Sequence, residues 1–312
     1  MKYLLAFVLS ISFFITGCGA VPYTKEEGRP IYSLTDAFGT KVDFYAKPCR
    51  IVSLNNSIDE ILLDLVPSER IAAITYLADD PTLCCAGDKV KLVKNRVYGG
   101  NFEGLVALNP DLVFTASFNG SGYADSLRAA GLKVVTCQTA NNIKGILQYI
   151  REVAAAVGEK ERGEILVGTL QKDMESIRAK VVAAKGDKLV RVLALSTMGI
   201  MGPAGTFNDL CYYAGIQNAL EGHNVPAQAV LSEELLLEIN PDVIFMPSWD
   251  YTKENDLDNF AKEILENPLY KNVNAVKNKR VYKLHDQYLY STNQYTIKAV
   301  EEMAKLCYPD IF

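Results

Sequence analysis

A stretch of twelve residues that occurs twice, 131 residues apart, most constrains how this chain can fold. Residues 103–114 have the sequence EGLVALNPDLVF, and residues 234–245 have the sequence ELLLEINPDVIF. Six positions are identical, namely the glutamate, one leucine, the Asn-Pro-Asp triplet and the last phenylalanine. Proline cannot continue a helix and disfavours helical geometry in the residue before it, so each copy predicts a short helix, a stop and then a buried strand.

A common helix–turn–strand pattern could explain the Asn-Pro-Asp triplet by itself. It would not also require a glutamate seven residues before the proline in both copies. The repeat therefore indicates a duplication, and we expect two pseudo-symmetric lobes.

Short apolar runs alternate with helical patterns in both halves of the chain. The predicted strands cover residues 50–54, 70–75, 111–115, 133–136, 190–195, 243–246 and 281–284. The predicted helices between and after them cover residues 58–65, 125–130, 207–214 and 296–306. Strands that alternate with helices in this way form βα units, which predicts an α/β fold with a mostly parallel sheet in each lobe.

A long helical stretch over residues 141–185 separates the two halves and is interrupted near Gly158. Its second part has no proline before residue 185, and apolar residues recur there at three- and four-residue steps. A helix of roughly 25 residues is about 38 Å long, which is enough to bridge two lobes. We therefore expect a first lobe, an interlobe helix and a second lobe over residues 34–158, 159–185 and 186–312.

The amino terminus has the features of an export signal. Lys2 is followed by thirteen uncharged, largely apolar residues. A helix of that length covers about 20 Å, less than the ~30 Å hydrocarbon core of a bilayer, so we interpret it as part of a signal peptide and not as a membrane span. The stretch ends in Ile-Thr-Gly-Cys, which resembles a bacterial lipobox. The alternative is a plain secretory signal with an incidental cysteine.

We expect residues 1–17 to be a signal peptide and Cys18 to be the lipidated first residue of the mature protein. Residues 18–33, which include several Gly, Pro, Lys and Glu, would form a tether. The protein would then be exported and anchored by lipid to the membrane, facing the periplasm or the cell exterior.

Composition and charge exclude some partners. The chain has 312 residues, which suits about two domains. Its formal net charge is −5 and it has no long basic run, so a nucleic-acid partner is not expected. Only two histidines are present, His223 and His285. A site for bare zinc or manganese needs several histidines together with carboxylates, which disfavours direct capture of such an ion.

Six cysteines remain after Cys18, at positions 49, 84, 85, 137, 211 and 307. Export permits disulfides, but these spacings match no disulfide framework and no CxxC motif is present, so their pairing stays open. The adjacent Cys84 and Cys85 are more simply interpreted as two small thiols in a loop than as a redox or metal site.

In open α/β sheets, ligands bind beyond the carboxyl ends of the strands, and this rule selects the candidate contacts. Those in the first lobe are Asn55, Asn56, Ser57, Tyr76, Ser117 and Phe118. Those in the second lobe are Met198, Met201, Trp249, Tyr251, His285 and Tyr288. Aromatic faces and thioethers suit a large, flat-sided ligand, with a few polar groups to fix its orientation. Plain packing is the alternative role for the tryptophan, tyrosines and methionines.

From residue 34 to the end, the chain resembles the periplasmic binding proteins that capture ferric siderophores, haem and cobalamin for ABC importers. The motifs that carry the resemblance follow in order: Thr35-Asp36-Ala37-Phe38-Gly39; Arg50 to Leu54 with Asp59-Glu60-Ile61-Leu62; the two Glu-x6-Pro-Asp blocks; Gly205-Thr206-Phe207 with Ala214-Gly215; Ala275 to Asn278 with Arg280-Val281-Tyr282; and Tyr308-Pro309. Each block alone is a weak indication, whereas the ordered set is specific.

The resemblance implies two Rossmann-like lobes bridged by a single long α-helix, with a metal chelate in the cleft between them and no cofactor. It also implies a monomer whose partners are an ABC transporter permease and its ATPase. Glu103 and Glu234 match the family's exposed carboxylates, one on each lobe, that pair with arginines of the transporter. Their alternative role is to complement the dipoles of the helices that they begin. A single stiff connection also predicts little closure when ligand binds.

The class of chelate stays open at this point. Haem would need an axial ligand, for which Tyr76 or His285 would serve, whereas cobalamin carries its own. Siderophores would usually call for arginines in the cleft, and none directly follows a predicted strand, which slightly favours a tetrapyrrole-type chelate. A two-lobed enzyme is disfavoured because the sequence has no Gly-x-Ser-x-Gly elbow, no Gly-x-Gly-x-x-Gly after a strand and no Walker loop.

Overall fold

The structure is a computed structural model that describes residues 28–186, 188–226, 228–250 and 256–312. The predicted signal peptide, Cys18 and most of the tether lie outside the described residues, as does Tyr251. Among the described residues, no helix is both long enough and apolar enough to cross a membrane.

The first lobe has a hairpin followed by a five-stranded parallel sheet. Its strands are β1 (Tyr32–Thr35), β2 (Lys41–Phe44), β3 (Ile51–Ser53), β4 (Ile71–Thr75), β5 (Arg96–Val97), β6 (Leu112–Ala116) and β7 (Val134–Cys137). Its helices are α1 (Asn56–Leu65), α2 (Phe102–Ala107), α3 (Ser121–Ala129) and α4 (Ile143–Ala156). The sheet has the strand order β5-β4-β3-β6-β7, and β1 pairs only with β2.

A single long helix, α5 (Lys160–Lys185), leads from the first lobe to the second. The second-lobe strands are β8 (Arg191–Ser196), β9 (Gly199–Ile200), β10 (Gln217–Asn218), β11 (Val243–Pro247) and β12 (Val281–Leu284). Its helices are α6 (Thr206–Ala214), α7 (Glu233–Ile239), α8 (Leu257–Glu266), α9 (Asn274–Lys277), α10 (Asp286–Leu289) and α11 (Thr296–Cys307). The parallel strands have the order β10-β8-β11-β12, and β9 pairs antiparallel with β8.

The two sheets have the same plan, because β4-β3-β6-β7 in the first lobe corresponds to β10-β8-β11-β12 in the second. This confirms the predicted α/β fold with two pseudo-symmetric lobes and one long helix. The hairpin strands β1 and β2 were not predicted. Neither were β5, β9 and β10, since a pair of residues is too short to show a periodicity. The residue limits predicted for the lobes stay a prediction, and the lobes are named here by their sheets.

The repeated segments have the same conformation in both lobes. Asn109 and Asn240 end their helices with positive φ values of 46° and 38°. Asparagine tolerates this left-handed conformation better than most residues, and the proline that follows prevents the helix from continuing. The sequence therefore correctly predicted the helix stop and the strand after it.

A hydrogen-bonded latch, formed by an arginine and the repeat aspartate, occurs once in each lobe. Asp111 accepts hydrogen bonds from the backbone N–H groups of Cys49 and Arg50, at 2.6 and 2.9 Å. Asp242 accepts one from the backbone N–H of Arg191 at 3.0 Å. Each latch thus joins the start of a central strand to the repeated segment, at the point where the neighbouring strand begins.

The side chain of the same arginine completes each latch. Arg50 donates to the carbonyl of Leu108 at 2.6 Å, and Arg191 donates to the carbonyl of Ile239 at 2.7 Å. These carbonyls occupy equivalent places, 131 residues apart, at the end of the repeated helix. A cation at a helix carboxyl terminus is favourable. The duplication therefore includes an arginine that the sequence repeat itself does not contain.

The long helix α5 packs on both lobes. At Gly163 an added Cβ would lie 2.4 Å from the Cβ of Ala154, so glycine allows α4 and α5 to approach closely. Near its other end, Val181 packs against Gly215, which has φ +68°. One buried apolar cluster includes residues of both lobes and of α5. Because the lobes share this core, moving one against the other would disrupt close packing.

Candidate ligand-binding cleft

All parallel strands of a sheet present their carboxyl ends at one edge, and the candidate residues lie at these edges. The edges of the two lobes also meet. Ser57 Oγ, in the first turn of α1, lies 2.7 Å from Thr292 Oγ1, which follows α10. On another side, the backbone N–H of Ile143 donates to Asp209 of α6 at 2.8 Å. The candidate cleft therefore lies between strand ends that are held together at its margins.

The polar residues after β3 are mostly engaged in local structure. Asn55 caps α1, since its Oδ1 accepts from the N–H of Ile58 at 3.1 Å and from the Tyr149 hydroxyl at 3.2 Å. Asn56 donates through Nδ2 to the carbonyl of Leu83 at 2.9 Å. Its Oδ1 is buried and has no hydrogen-bond partner in the described part of the chain. Of the two candidate asparagines, Asn56 is thus the one whose side-chain oxygen accepts no hydrogen bond from a described residue.

Tyr76 has a neighbour that the sequence did not reveal. The rings of Tyr76 and Tyr98 are stacked, with centroids 4.8 Å apart and planes 14° apart. Their exposed fractions are 46% and 58%, which is unusual for two large aromatic side chains in contact. Tyr98 could have been found only by recognising the two-residue strand β5 before it.

Ser117 and Phe118 follow β6. The Ser117 hydroxyl lies 3.1 Å from Thr139 Oγ1, and the backbone N–H of Thr139 donates to Ser117 Oγ at 3.0 Å. These bonds join the turns after β6 and β7. The side chain of Phe118 is 67% exposed beside them. Ser117 thus fixes the turn, whereas the exposed side chain of Phe118 is the one of the two that is accessible to a ligand.

In the second lobe, Met198 is 63% exposed whereas Met201 packs partly against the core. Trp249 is half-buried directly after β11. Its backbone N–H donates to Asp286 at 2.8 Å, and the N–H of Ser248 donates to the same carboxylate oxygen at 2.6 Å. Burial raises the pKa of Asp286. The strand end that carries Trp249 is therefore held by hydrogen bonds to a buried aspartate.

His285 and Tyr288 lie after β12. His285 Nδ1 is 2.5 Å from Glu302 Oε1, which orients the imidazole. The Tyr288 ring lies 5.3 Å from the His285 ring and packs partly against the core. Lys298 lies 5.2 Å from the centroid of Tyr288. These contacts give Tyr288 a packing role, while His285 remains exposed.

A polar clasp, formed by Glu60 and Asp64 of α1 with Asn293 and Gln294, joins the two lobes. Glu60 is only 2% exposed, and its carboxylate accepts a hydrogen bond from the Asn293 amide. Gln294 donates to the Glu60 carbonyl and to Asp64, each at 2.8 Å. Burial raises the pKa of Glu60. The clasp is a buried link between distant segments.

The adjacent cysteines lie beside this clasp. The Cys84 thiol donates to Glu60 at 3.3 Å, and the Cys85 backbone N–H donates to the same carboxylate. Burial, reinforced by the Glu60 charge, raises the pKa of both thiols to about 12, which keeps them protonated. No disulfide is formed by the cysteines of the described ranges. Within the same ranges, no cluster of three or more His, Cys, Asp or Glu side chains could hold a metal ion.

Glu103 and Glu234 occupy the same place in the repeated helices α2 and α7, two residues after the helix cap. Asn101 caps α2 through the N–H of Gly104, and Ser232 caps α7 through the N–H of Leu235. Both glutamates are exposed. A carboxylate in a first helical turn is favourable, by ~0.3–1 kcal/mol, and exposure leaves it able to contact a partner.

The fold and the paired strand edges define a two-lobed α/β binding protein. A model of the family described as periplasmic binding protein matches residues 51–288. The chain therefore belongs to this periplasmic binding protein family.

Individual relatives agree with that assignment. The uncharacterized ABC transporter substrate-binding lipoprotein YvrC of Bacillus subtilis is 26% identical, over 98% of this chain and 97% of that protein. The iron(3+)-hydroxamate-binding protein FhuD of the same organism is 24% identical over 67% of this chain and 66% of that protein. The apo structure of the periplasmic haem-binding protein RhuT from Roseiflexus is similar, with a TM-score of 0.68 and 24% identity. That match covers 84% of this chain and 99% of RhuT.

Proposed function

We propose that this protein is an exported, lipid-anchored binding protein that captures a metal-chelate nutrient and delivers it to an ABC importer. The proposal depends chiefly on one observation. The two strand edges that meet carry exposed aromatic and thioether side chains, on a chain that matches a substrate-binding lipoprotein over nearly its whole length. Such a surface suits a bulky ligand that is mostly apolar and needs only a few polar contacts. The protein would have no catalytic role of its own.

Ligand binding is the direct test. Trp249 is the only tryptophan, so quenching of its fluorescence would report on the candidate cleft. Haem, cobalamin and a panel of ferric siderophores should be titrated by fluorescence and by thermal shift. We expect submicromolar binding of one class. If none of these chelates binds, the proposed function is wrong.

Transporter docking can be tested separately from ligand binding. We expect the double charge reversal Glu103→Arg and Glu234→Arg to abolish transport in cells while leaving ligand affinity unchanged. The matched control reverses Glu161, which lies in the first turn of α5, and the exposed Asp173 on the same helix. Because the control also loses a favourable first-turn charge, equal loss of transport in both double variants would contradict a docking role.

Membrane attachment depends on Cys18 in this proposal. The substitution Cys18→Ala should release the mature protein from the membrane fraction into the soluble exported fraction. A palmitate-labelling experiment should show label on the natural protein and none on the variant. Retention of the variant in the membrane with an uncleaved signal would be distinguished by the larger mass of the chain.

A further inference from the structure

We propose that Val106 and Leu237, one on each lobe, are the apolar contact residues of the transporter-docking surface and pack into apolar recesses of the permease. The inference rests on the proposed function above and adds to it two contact residues and the chemistry of the surface that receives them. The term "docking patch" is used here for Glu103 with Val106 on α2, and for Glu234 with Leu237 on α7.

The two apolar residues occupy the same position in the repeated helices. Val106 and Leu237 are 131 residues apart, as are the two glutamates. Their side chains are 45% and 46% exposed. A single exposed apolar residue is common on protein surfaces and needs no explanation. The same exposure at the same position of both duplicated helices is a shared feature of the lobes, and it indicates a shared role.

Helix geometry places each apolar residue beside its glutamate. Residues three apart lie on the same face of a helix, with Cβ atoms about 5–6 Å apart. The residue before each apolar contact points the other way, since Leu105 of α2 and Leu236 of α7 are buried in the cores of their lobes. These leucines attach the helices to the lobes. The outer face of each helix therefore carries a carboxylate next to an apolar side chain.

The docking patches lie towards the side of the molecule on which the candidate cleft lies. After a short turn, α2 leads into β6 and α7 leads into β11, both of which are strands of a parallel sheet. A helix that connects parallel strands runs back antiparallel to them, so its start lies towards their carboxyl ends. The candidate ligand contacts are at the same ends. A partner that receives ligand from the cleft can therefore meet both patches at once.

The composition of the patches indicates the chemistry of the partner. Two similar patches on duplicated lobes fit a partner with two similar halves, each with a cation for the glutamate and an apolar recess beside it. Exposed charges mainly speed up association, whereas apolar contacts that exclude water mainly slow dissociation. A lipid surface fits less well, because anionic headgroups would repel Glu103 and Glu234 and also the exposed Glu238 that follows Leu237.

Binding of the purified chain to membranes of its native host tests the two apolar contacts. The host strain lacks the gene for this protein but keeps its transporters. Every chain carries Cys18→Ala, so that lipid insertion does not contribute, and specific binding is the part that excess unlabelled chain displaces. The double variants are Val106→Ser with Leu237→Ser, Glu103→Gln with Glu234→Gln and, as the matched control, Ile165→Ser with Val182→Ser, which are exposed apolar residues of α5.

The two kinds of contact should affect binding differently. We expect the apolar double variant to raise Kd at least about tenfold through faster dissociation, with an unchanged dependence on salt. The glutamate double variant should associate more slowly and depend less on salt. The control should stay within about twofold of the parent chain. Of the single variants, Leu237→Ser should bind more weakly than Val106→Ser, because leucine buries more apolar area than valine.

Circular dichroism and the thermal midpoint must show that the serine variants are folded, and Val106→Thr with Leu237→Gln replaces the pair if they are not. Binding of the apolar variant as tightly as the control, with binding lost only in the glutamate variant, would overturn the apolar contacts and leave the proposed function intact. Equal binding by all variants, or no displaceable binding by the parent chain, would overturn both docking patches. The proposed function itself fails if no chelate binds in the titrations described above.

Discussion

In both lobes a buried aspartate holds the strand end that carries a candidate aromatic residue, but it does so in different ways. In the first lobe, Asp59 comes from the helix that follows β3 and bonds Thr75 before Tyr76. In the second, Asp286 comes from the helix after β12 and bonds the strand end that carries Trp249. The arginine latches, by contrast, follow the same plan in both lobes.

The lobes therefore share the arginine latches but differ at their strand ends. The latch supports the repeated helix and therefore the exposed glutamate at its start, which has to be placed alike on both lobes if both dock on one transporter. In the proposed function, the strand ends face a ligand with two different sides, so nothing requires them to stay alike. A fifth strand, β5, has no counterpart in the order of the second sheet and supplies Tyr98. The stacked pair of Tyr76 and Tyr98 is therefore a property of one lobe.

The largest effect is expected where the latches are broken. Asp111→Ala removes two charge-assisted bonds to backbone N–H groups, and we expect it to lower the free energy of unfolding by about 3 kcal/mol. Asp242→Ala removes one such bond and a 3.2 Å contact with the Asn274 amide, so we expect about 2 kcal/mol. Chemical denaturation measures both, with the exposed Asp173→Ala as the control. A larger loss in Asp242→Ala than in Asp111→Ala would contradict this prediction.

The next effect concerns the amino-terminal part of α5. Gly163→Ala would drive a methyl group into Ala154 of α4, and we expect a loss of about 2 kcal/mol from overpacking. Gly168 lies on the same helix, and an added methyl group there would have no neighbouring atom within 4 Å, so Gly168→Ala should instead stabilise by about 0.5–1 kcal/mol. Thermal unfolding of the two variants checks the pair. Equal shifts in the same direction would contradict close packing between α4 and α5.

The clasp between the lobes should contribute less. Asn293→Ala removes the amide that donates to the buried Glu60 carboxylate, and we expect a loss of about 1–2 kcal/mol. Amide hydrogen exchange should then increase in α1 more than in α6, because the clasp is attached to α1. The exposed Asn278→Ala is the matched control. Unchanged exchange in α1 would mean that the α5 core alone holds the lobes.

The last prediction is a pH dependence that distinguishes the two buried aspartates. Burial raises the pKa of Asp59 from its ordinary 3.8 to about 8, and it raises the pKa of Asp286 as well. A carboxyl group whose pKa is raised by folding favours the folded state fully below pH ~4, and this contribution is lost as pH rises towards 8. We expect Asp59→Asn to flatten this decline.

Asp286→Asn should flatten the curve less, since Asp286 is slightly less buried and the three hydrogen bonds to its carboxylate favour ionisation. Glu60, whose pKa is also raised, will leave a residual slope in both variants. Stability measured in denaturant from pH 4 to 9 gives the comparison. A steeper change in Asp286→Asn than in Asp59→Asn would reverse the assignment.

Much of the fold could be predicted because it depends on neighbours in sequence. The strand β12 was predicted at its observed limits, and α5 was predicted within a residue at its start. The candidate Tyr76 was found from the rule that ligands lie beyond strand ends. Tyr98, the clasp and the latch arginines could not be found in this way. Nothing near Tyr98 in sequence marks β5 as a strand.

The sequence by itself determined two lobes, the alternation of strands and helices, the long connection and the equivalent places of Glu103 and Glu234. These follow from periodicity and from the steric effect of proline, which act over a few residues. Only the tertiary structure decided that Tyr98 lies beside Tyr76 and that Glu60 meets Asn293, 233 residues away. Such contacts depend on strand order and on how the lobes pack, since the chain must fold before these side chains can meet.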